Sequence, residues 1–280
     1  MASGVGAWRQ PGCRGMVEKH RLPPPFVRLQ PDILTMKMPT LKTLFMTILV
    51  LIIMSPGTSA EESWATSYRS LLDKYASDQG VAYKEWKANG KDLAMLQSIV
   101  NQIAQNGPTD TSREGKIAYY ANVYNILVLH GVLKAYPITS VQDIAPLFGF
   151  FTSPRFTVDG QKVSLNKIEK QWLLKQFQEP RIHFIVNCAS VSCPPLPPAP
   201  LAAATLETQM DRATQNFLND PQGVKVSEKT AYLSKIFEWY KADFKRAGGV
   251  IAFINRFREE KLPEDISMQY QNYNWGLNER

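Results

Sequence analysis

Residues 113–135 constrain the fold more than any other part of the chain. Ile117, Tyr119, Tyr120, Val123, Ile126, Leu127, Val128 and Leu133 leave almost no polar face. A helix that is apolar nearly all round has to lie in the middle of a core. Thr111-Ser-Arg-Glu114 reads as a capping box at its start, and Pro137 ends it. Such a helix, about 35 Å long at 1.5 Å per residue, needs other elements against every side.

The flanking sequence supplies them. Residues 64–75 and 84–105 carry Tyr68, Leu71, Leu72, Trp86, Leu96, Ile99 and Ile103 at helical spacing. Val81-Ala-Tyr83 reads as a short strand and 140–147 as a short helix. Alternation on both sides of Asp159-Gly160 predicts a hairpin over 155–165. Asn166 with Glu169 reads as the cap of a helix reaching Phe177. Residues 182–187 read as a buried strand, and Pro194–Pro200 as a rigid extended connector. A helix over 201–218 follows, then a second hairpin from 224–226 and 231–233. Ser234 opens a helix through Trp239 and Phe244, Gly248-Gly249 interrupts it, 250–259 is helical, and 267–273 is a last strand. The expected class is α+β: a single helix-rich domain with a few short strands and hairpins around a buried central helix.

Residues 41–54, LKTLFMTILVLIIM, follow Lys37 and precede Ser55-Pro-Gly-Thr-Ser-Ala60. A basic start, a short apolar core and small residues before a cut form the pattern of a secretory signal peptide. The run is too short for a spanning helix. We therefore expect a mis-called, disordered leader over 1–35, with translation starting at Met36 or Met38. A signal peptide over 36–60 is cleaved near Ala60, and the domain occupies 61–280, without a membrane span and periplasmic or secreted. The formal charge of +7 then loses its meaning. Seven of the 32 basic and two of the 25 acidic residues lie in 1–60, so 61–280 carries only +2. Nucleic acid is not expected as a partner, and partners and oligomeric state are otherwise open.

Chemistry-bearing residues are few after position 60: His130, His183, Cys188 and Cys193. Cys188 and Cys193 can form a disulfide if the segment has been exported. Alternatively Cys188 is a nucleophile, which needs a base or positive field beside it. His183 is near in sequence, but a continuous strand would point the two side chains to opposite faces. His130, from the central helix, is the preferred base. Asn125 or Asn122, one turn apart on that helix, would orient the imidazole, or else both amides anchor neighbouring backbone. Loop amides at Ala189 and Ser190 would form an oxyanion hole. The spacing His-x4-Cys-x4-Cys matches no familiar zinc pattern. No metal and no cofactor is implied.

Several segments together resemble the Domain of Unknown Function 547 family. They are Lys116–His130, Tyr136–Asp143, Val163–Glu169, Pro180–Phe184, Cys188–Pro194, Leu233–Phe244 and Tyr273–Asn278, in the family's order. Tyr120 stands where a Trp is usual, and Val81-Ala-Tyr83 replaces Val-Asp-Tyr. The resemblance implies no agreed activity. The family's occasional fusion to glutaredoxin-like domains hints at thiol chemistry. Two functional expectations follow. One is an exported thiol-dependent hydrolase or acyltransferase acting on amide or peptide bonds. The other is a non-catalytic envelope binding or scaffolding domain clipped by Cys188–Cys193. A cycling redox pair is disfavoured by the CxxxxC spacing.

Overall fold

A computed structural model describes residues 60–280, with side chains from Trp64 onward; the leader and signal segment expected before residue 60 lie outside them. The described residues fall within one compact unit, 56–280. Helix α1 (Ala60–Tyr75) passes through a small hairpin of β1 (Ala76–Ser77) and β2 (Gly80–Val81) into α2 (Tyr83–Ala88) and α3 (Gly90–Gln105). The expected single helix over 84–105 is two, because Asn89 turns extended and its side chain accepts from Asp92 N at 3.1 Å, starting a new helix. The central helix is α4 (Arg113–Ala135), with fifteen of its 23 residues buried. Its cap is Ser112, whose Oγ accepts from Gly115 N at 2.9 Å, one residue later than the Thr111 box predicted.

Beyond α4 come a 3-10 turn (Val141–Ile144), α5 (Gly149–Thr152) and the predicted hairpin of β3 (Phe156–Val158) with β4 (Gln161–Val163). A π-helical segment (Lys167–Lys175) and a 3-10 turn (Pro180–Phe184) follow. Helix α6 (Leu206–Asn219) leads to β5 (Val224–Ser227) and β6 (Thr230–Leu233), which pair antiparallel. Three short helices, α7 (Ile236–Trp239), α8 (Lys241–Arg246) and α9 (Val250–Phe257), precede β7 (Ser267–Tyr270), which joins β6 in parallel. The class is α+β, as the pattern of elements implied.

Three local expectations are corrected. The predicted strand over 182–187 is the 3-10 turn and the irregular chain after it. Pro180 sits in the first turn and Glu179 accepts from Arg181 N at 3.1 Å, so this apolar run starts like a helix. Asn166 makes no side-chain cap. Ser164 Oγ takes Lys167 N instead, which frees Glu169 for another role. The helix through Trp239 and Phe244 breaks at Tyr240 into α7 and α8.

Two apolar clusters form the interior. The larger surrounds α4 with side chains from α1, α2, α3, the β3–β4 hairpin and the π-helical segment. The smaller packs Phe184 against Phe217, Phe237, Phe244 and Phe253, under the three-stranded sheet. Phe184 thereby fixes the turn that carries His183.

Residues 274–280 run back across the molecule. Leu277 N donates to Thr139 O at 2.8 Å and Asn278 N to Ala189 O at 3.1 Å, while Val81 N donates to Asn278 O at 2.9 Å. A Cβ at Gly80, which has a φ of +125°, would stand 2.3 Å from Asn278 O. Glycine there lets the tail lie flat on the hairpin. The tail ties the loop after Cys188 to the start of the domain, and it brings Tyr273 to that loop.

Candidate active site

Asn125 sets the loop that carries Cys188. Its Nδ2 donates to Ile185 O at 2.9 Å and its Oδ1 accepts from Asn187 N at 2.8 Å. The carboxamide thus acts as a surrogate strand for a buried, irregular segment whose backbone would otherwise be unpaired. Asn122 does the same for Leu201, donating to its carbonyl at 2.8 Å and accepting from its amide at 2.9 Å. The structure uses both asparagines as backbone anchors, and neither is given a hydrogen bond to a histidine.

Asn187 continues the scaffold. Its Oδ1 accepts from Ala189 N at 2.8 Å and its Nδ2 donates to Pro194 O at 2.7 Å. Between these bonds the chain turns sharply, and Ala189, fully buried, takes a φ of +63°. This left-handed conformation costs a residue with a Cβ roughly 1–2 kcal/mol, and such strain persists only where the surroundings impose it. Cys188 sits at the bend.

The Cys188 sulfur lies 2.9 Å from Ser190 Oγ and 3.3 Å from Tyr273 Oη, and Ser190 Oγ donates to Tyr273 Oη at 3.0 Å. Cys188 N donates to Cys193 Sγ at 2.9 Å. Burial would raise the Cys188 thiol, but hydrogen bonds from Cys193, Ser190, Tyr273 and the Ser190 amide outweigh it and bring the pKa down to about 7. Burial and the neighbouring Cys188 push the Cys193 thiol well up. Burial, followed by the two thiols, pushes Tyr273 up as well, so its hydroxyl stays protonated and remains a donor. Both cysteines are free thiols, so the disulfide considered from sequence is not formed here. The Ala189 amide, spent on Asn187, is removed from the expected oxyanion hole. The Ser190 and Tyr273 hydroxyls are the donors beside the sulfur that the sequence did not reveal.

His183 and Cys188 line the same cavity, of about 580 Å³. His183 is 3% exposed, packs at a tilt against Tyr240 with ring centroids 4.1 Å apart, and bonds through Nε2 to Asp243 Oδ2 at 2.8 Å. The His183 hydrogen bond, offset in part by burial, holds the Asp243 carboxyl below the usual range. With Asp243 accepting from Nε2–H, the neutral ring keeps Nδ1 as its basic nitrogen. Arg181 is held by Glu179, Glu207 and Asp211, whereas Asp243 pairs with His183 and Arg246.

His130 is elsewhere. Its Nε2 bonds to Gln97 Oε1 at 2.9 Å, and it lines a different cavity of about 500 Å³ with Lys134 and Arg155. Burial, then Lys134, lowers its pKa. The structure thus places His130 apart from Cys188, and of the two histidines expected as bases it is His183 that shares a cavity with the thiol. The strand assumed for 182–187 had made His183 the poorer choice, and the 3-10 turn removes that objection.

Aromatic rings wall the rest of the cavity. Trp239, Tyr273 and Trp275 pack with centroids 4.6–5.8 Å apart, and Phe148 meets Trp275 edge-on at 5.1 Å. Glu169 also lines it, accepting from Tyr240 Oη at 2.5 Å and Tyr124 Oη at 3.5 Å. Among the described residues no group of His, Cys, Asp and Glu side chains is arranged to hold a metal.

No curated protein and no solved structure matches the chain. The resemblances seen in Leu233–Phe244 and Tyr273–Asn278 lie beyond the family match, but those in α4, the β3–β4 hairpin, the Pro180 turn and the Cys188 loop lie inside it. Residues 108–218 match the model of the family described as "Protein of unknown function, DUF547".

Proposed function

We propose that the protein is a thiol-dependent hydrolase or acyltransferase acting on amide or peptide bonds, with Cys188 as nucleophile and His183 as base. The observation that carries this reading is the setting of the Cys188 sulfur. It stands on a strained, fully braced turn, within reach of hydroxyl and amide donors, and faces the cavity that His183, itself bonded to Asp243, also lines. Donors around a sulfur favour the thiolate, which is the attacking species.

In this reading His183 Nδ1 takes the Cys188 proton, the resulting thiolate adds to the acyl carbon, and the Tyr273 hydroxyl stabilises the oxyanion. His183, protonated at Nδ1, gives that proton to the departing amine. The thioester on Cys188 then passes its acyl group to water or to a second amine, with Nδ1 taking the proton from the incoming nucleophile. Asp243 keeps the ring in the required tautomer and stabilises its protonated form. The apolar segment 41–54, followed by small residues at 58–60, supports placing this activity outside the cytoplasm. The alternative is a non-catalytic envelope binding or scaffolding domain, supported by the use of Asn122 and Asn125 as anchors for buried backbone.

Incubation with a small activated thioester, followed by intact-protein and peptide mass spectrometry, tests the proposal. One acyl group on Cys188, lost on adding hydroxylamine and absent from the His183→Gln protein at short times, is expected. Acylation of surface lysines alone would leave the nucleophile without support.

A further inference from the structure

Glu169 is 8% exposed, and no ion pair to it exists among the described residues. Its partners are the hydroxyls of Tyr240 and Tyr124. Carboxylates this deeply buried are nearly always paired with a cation, because an uncompensated charge away from water is costly. Among the described residues, Glu169 is the one carboxylate lining the cavity that also holds Cys188, and the Tyr124, Tyr240, Trp239 and Trp275 rings line the same space. Electron-rich faces around a carboxylate form the environment that holds an ammonium group. The other charged lining groups do not fill this role. Lys170 is exposed and unpaired with Glu169, and His183 is committed to Asp243, which also binds Arg246.

The backbone adds an independent observation. Glu169 lies on the π-helical segment Lys167–Lys175. Such turns are rare and concentrate where a side chain has been re-aimed for function. Here Glu169 and Lys170, both on that segment, line the cavity. Tyr240 links the two halves of the site, with its ring on His183 and its hydroxyl on Glu169.

We propose that Glu169 and the surrounding aromatic rings form a subsite for an ammonium group, so that the substrate is an acyl compound or acceptor bearing a free primary amine. Its meaning for substrate choice rests on the cavity being the reaction site. The binding itself does not. The amine is either the α-amino group of a peptide or an amine on a side-chain-like alkyl stem. Both present the same charge to Glu169.

The test uses the full chain carrying Cys188→Ser, in which no acylation occurs, and calorimetric or NMR titration with four probes. Alaninamide and n-butylammonium carry the charge, and N-acetylalaninamide and n-butanol are their neutral counterparts. At least one charged probe is expected to bind tenfold more tightly than its neutral partner. Selectivity for alaninamide assigns an α-amino group, and selectivity for butylammonium assigns an alkyl amine. Glu169→Gln is expected to bring each pair within twofold. Should that variant fold poorly, the charged-to-neutral ratio in the parent chain decides alone. Equal binding of charged and neutral probes would overturn the subsite and leave the thiol reading of Cys188 standing.

Discussion

Replacing Cys188 with serine is expected to lower turnover of an activated thioester by about three orders of magnitude or more, the size of loss seen when a nucleophile that works as part of a unit is removed. A serine hydroxyl could accept the same hydrogen bonds, but at neutral pH it would not ionise as a thiol near 7 does. His183→Gln should cost about two orders, in the range for general acid–base catalysis, because Nδ1 is lost while the contact with Asp243 is largely kept. His130→Gln should leave turnover within about twofold, since that ring faces Gln97 and another cavity. Steady-state kinetics on the three variants, each checked for an unchanged melting transition, decides the matter. An equal loss in His130→Gln and His183→Gln would break the proposed pairing.

Asn125→Leu, which keeps the branched outline of the side chain and removes its hydrogen bonding, should be among the most damaging single changes to the scaffold. It strands Ile185 C=O and Asn187 N–H, both inside the protein and both served by this one carboxamide. Each unsatisfied buried group costs about 1–3 kcal/mol, so a loss of about 4 kcal/mol is expected. For a domain of this size that is a drop in melting temperature of roughly 8–16 °C. Asn122→Leu should destabilise by a similar amount through Leu201. The two variants differ in their reach. Asn125 holds the residue beside Cys188, so its loss should also slow alkylation of that thiol at neutral pH, whereas Asn122→Leu should not. Calorimetry with timed alkylation separates them, and equal slowing in both would mean that Asn125 does not set the thiol's geometry.

The long-range plan of the fold was legible from apolar periodicity. The central helix over 113–135 stands almost to the residue, because a helix without a polar face has one place to go. The β3–β4 hairpin followed from its Asp-Gly turn and alternation and β5–β6 was also expected, whereas the small β1–β2 hairpin was not. The candidate site was legible only in part. Cys188 was found because thiols are scarce, but its partners come from distant sequence. Tyr273 lies 85 residues away and Asp243 lies 60 residues from His183. No spacing rule reports such contacts. The apolar run 182–187 was misread because a fully buried strand and a short buried helical turn give the same composition. Glu169 looked like a helix cap, because Asn-x-x-Glu has that form whether or not the carboxylate turns inward. What re-aims it is the π-helical geometry, which has no signature in the sequence.

The central claim is that Cys188 is a poised nucleophile and not half of a clip or an inert thiol. The rate of its alkylation by iodoacetamide as a function of pH tests that most directly, read by mass spectrometry on protein purified without reductant. The hydrogen bonds at Cys188 favour the charged form, so the reactive fraction rises as pH passes the lowered pKa. The predicted profile has its midpoint at about pH 7 and is flat above roughly 8.5, with Cys193 unlabelled because its own thiol is pushed the other way. A midpoint at the unperturbed thiol value, roughly 8.5, or the absence of any free thiol before reduction, would contradict the account.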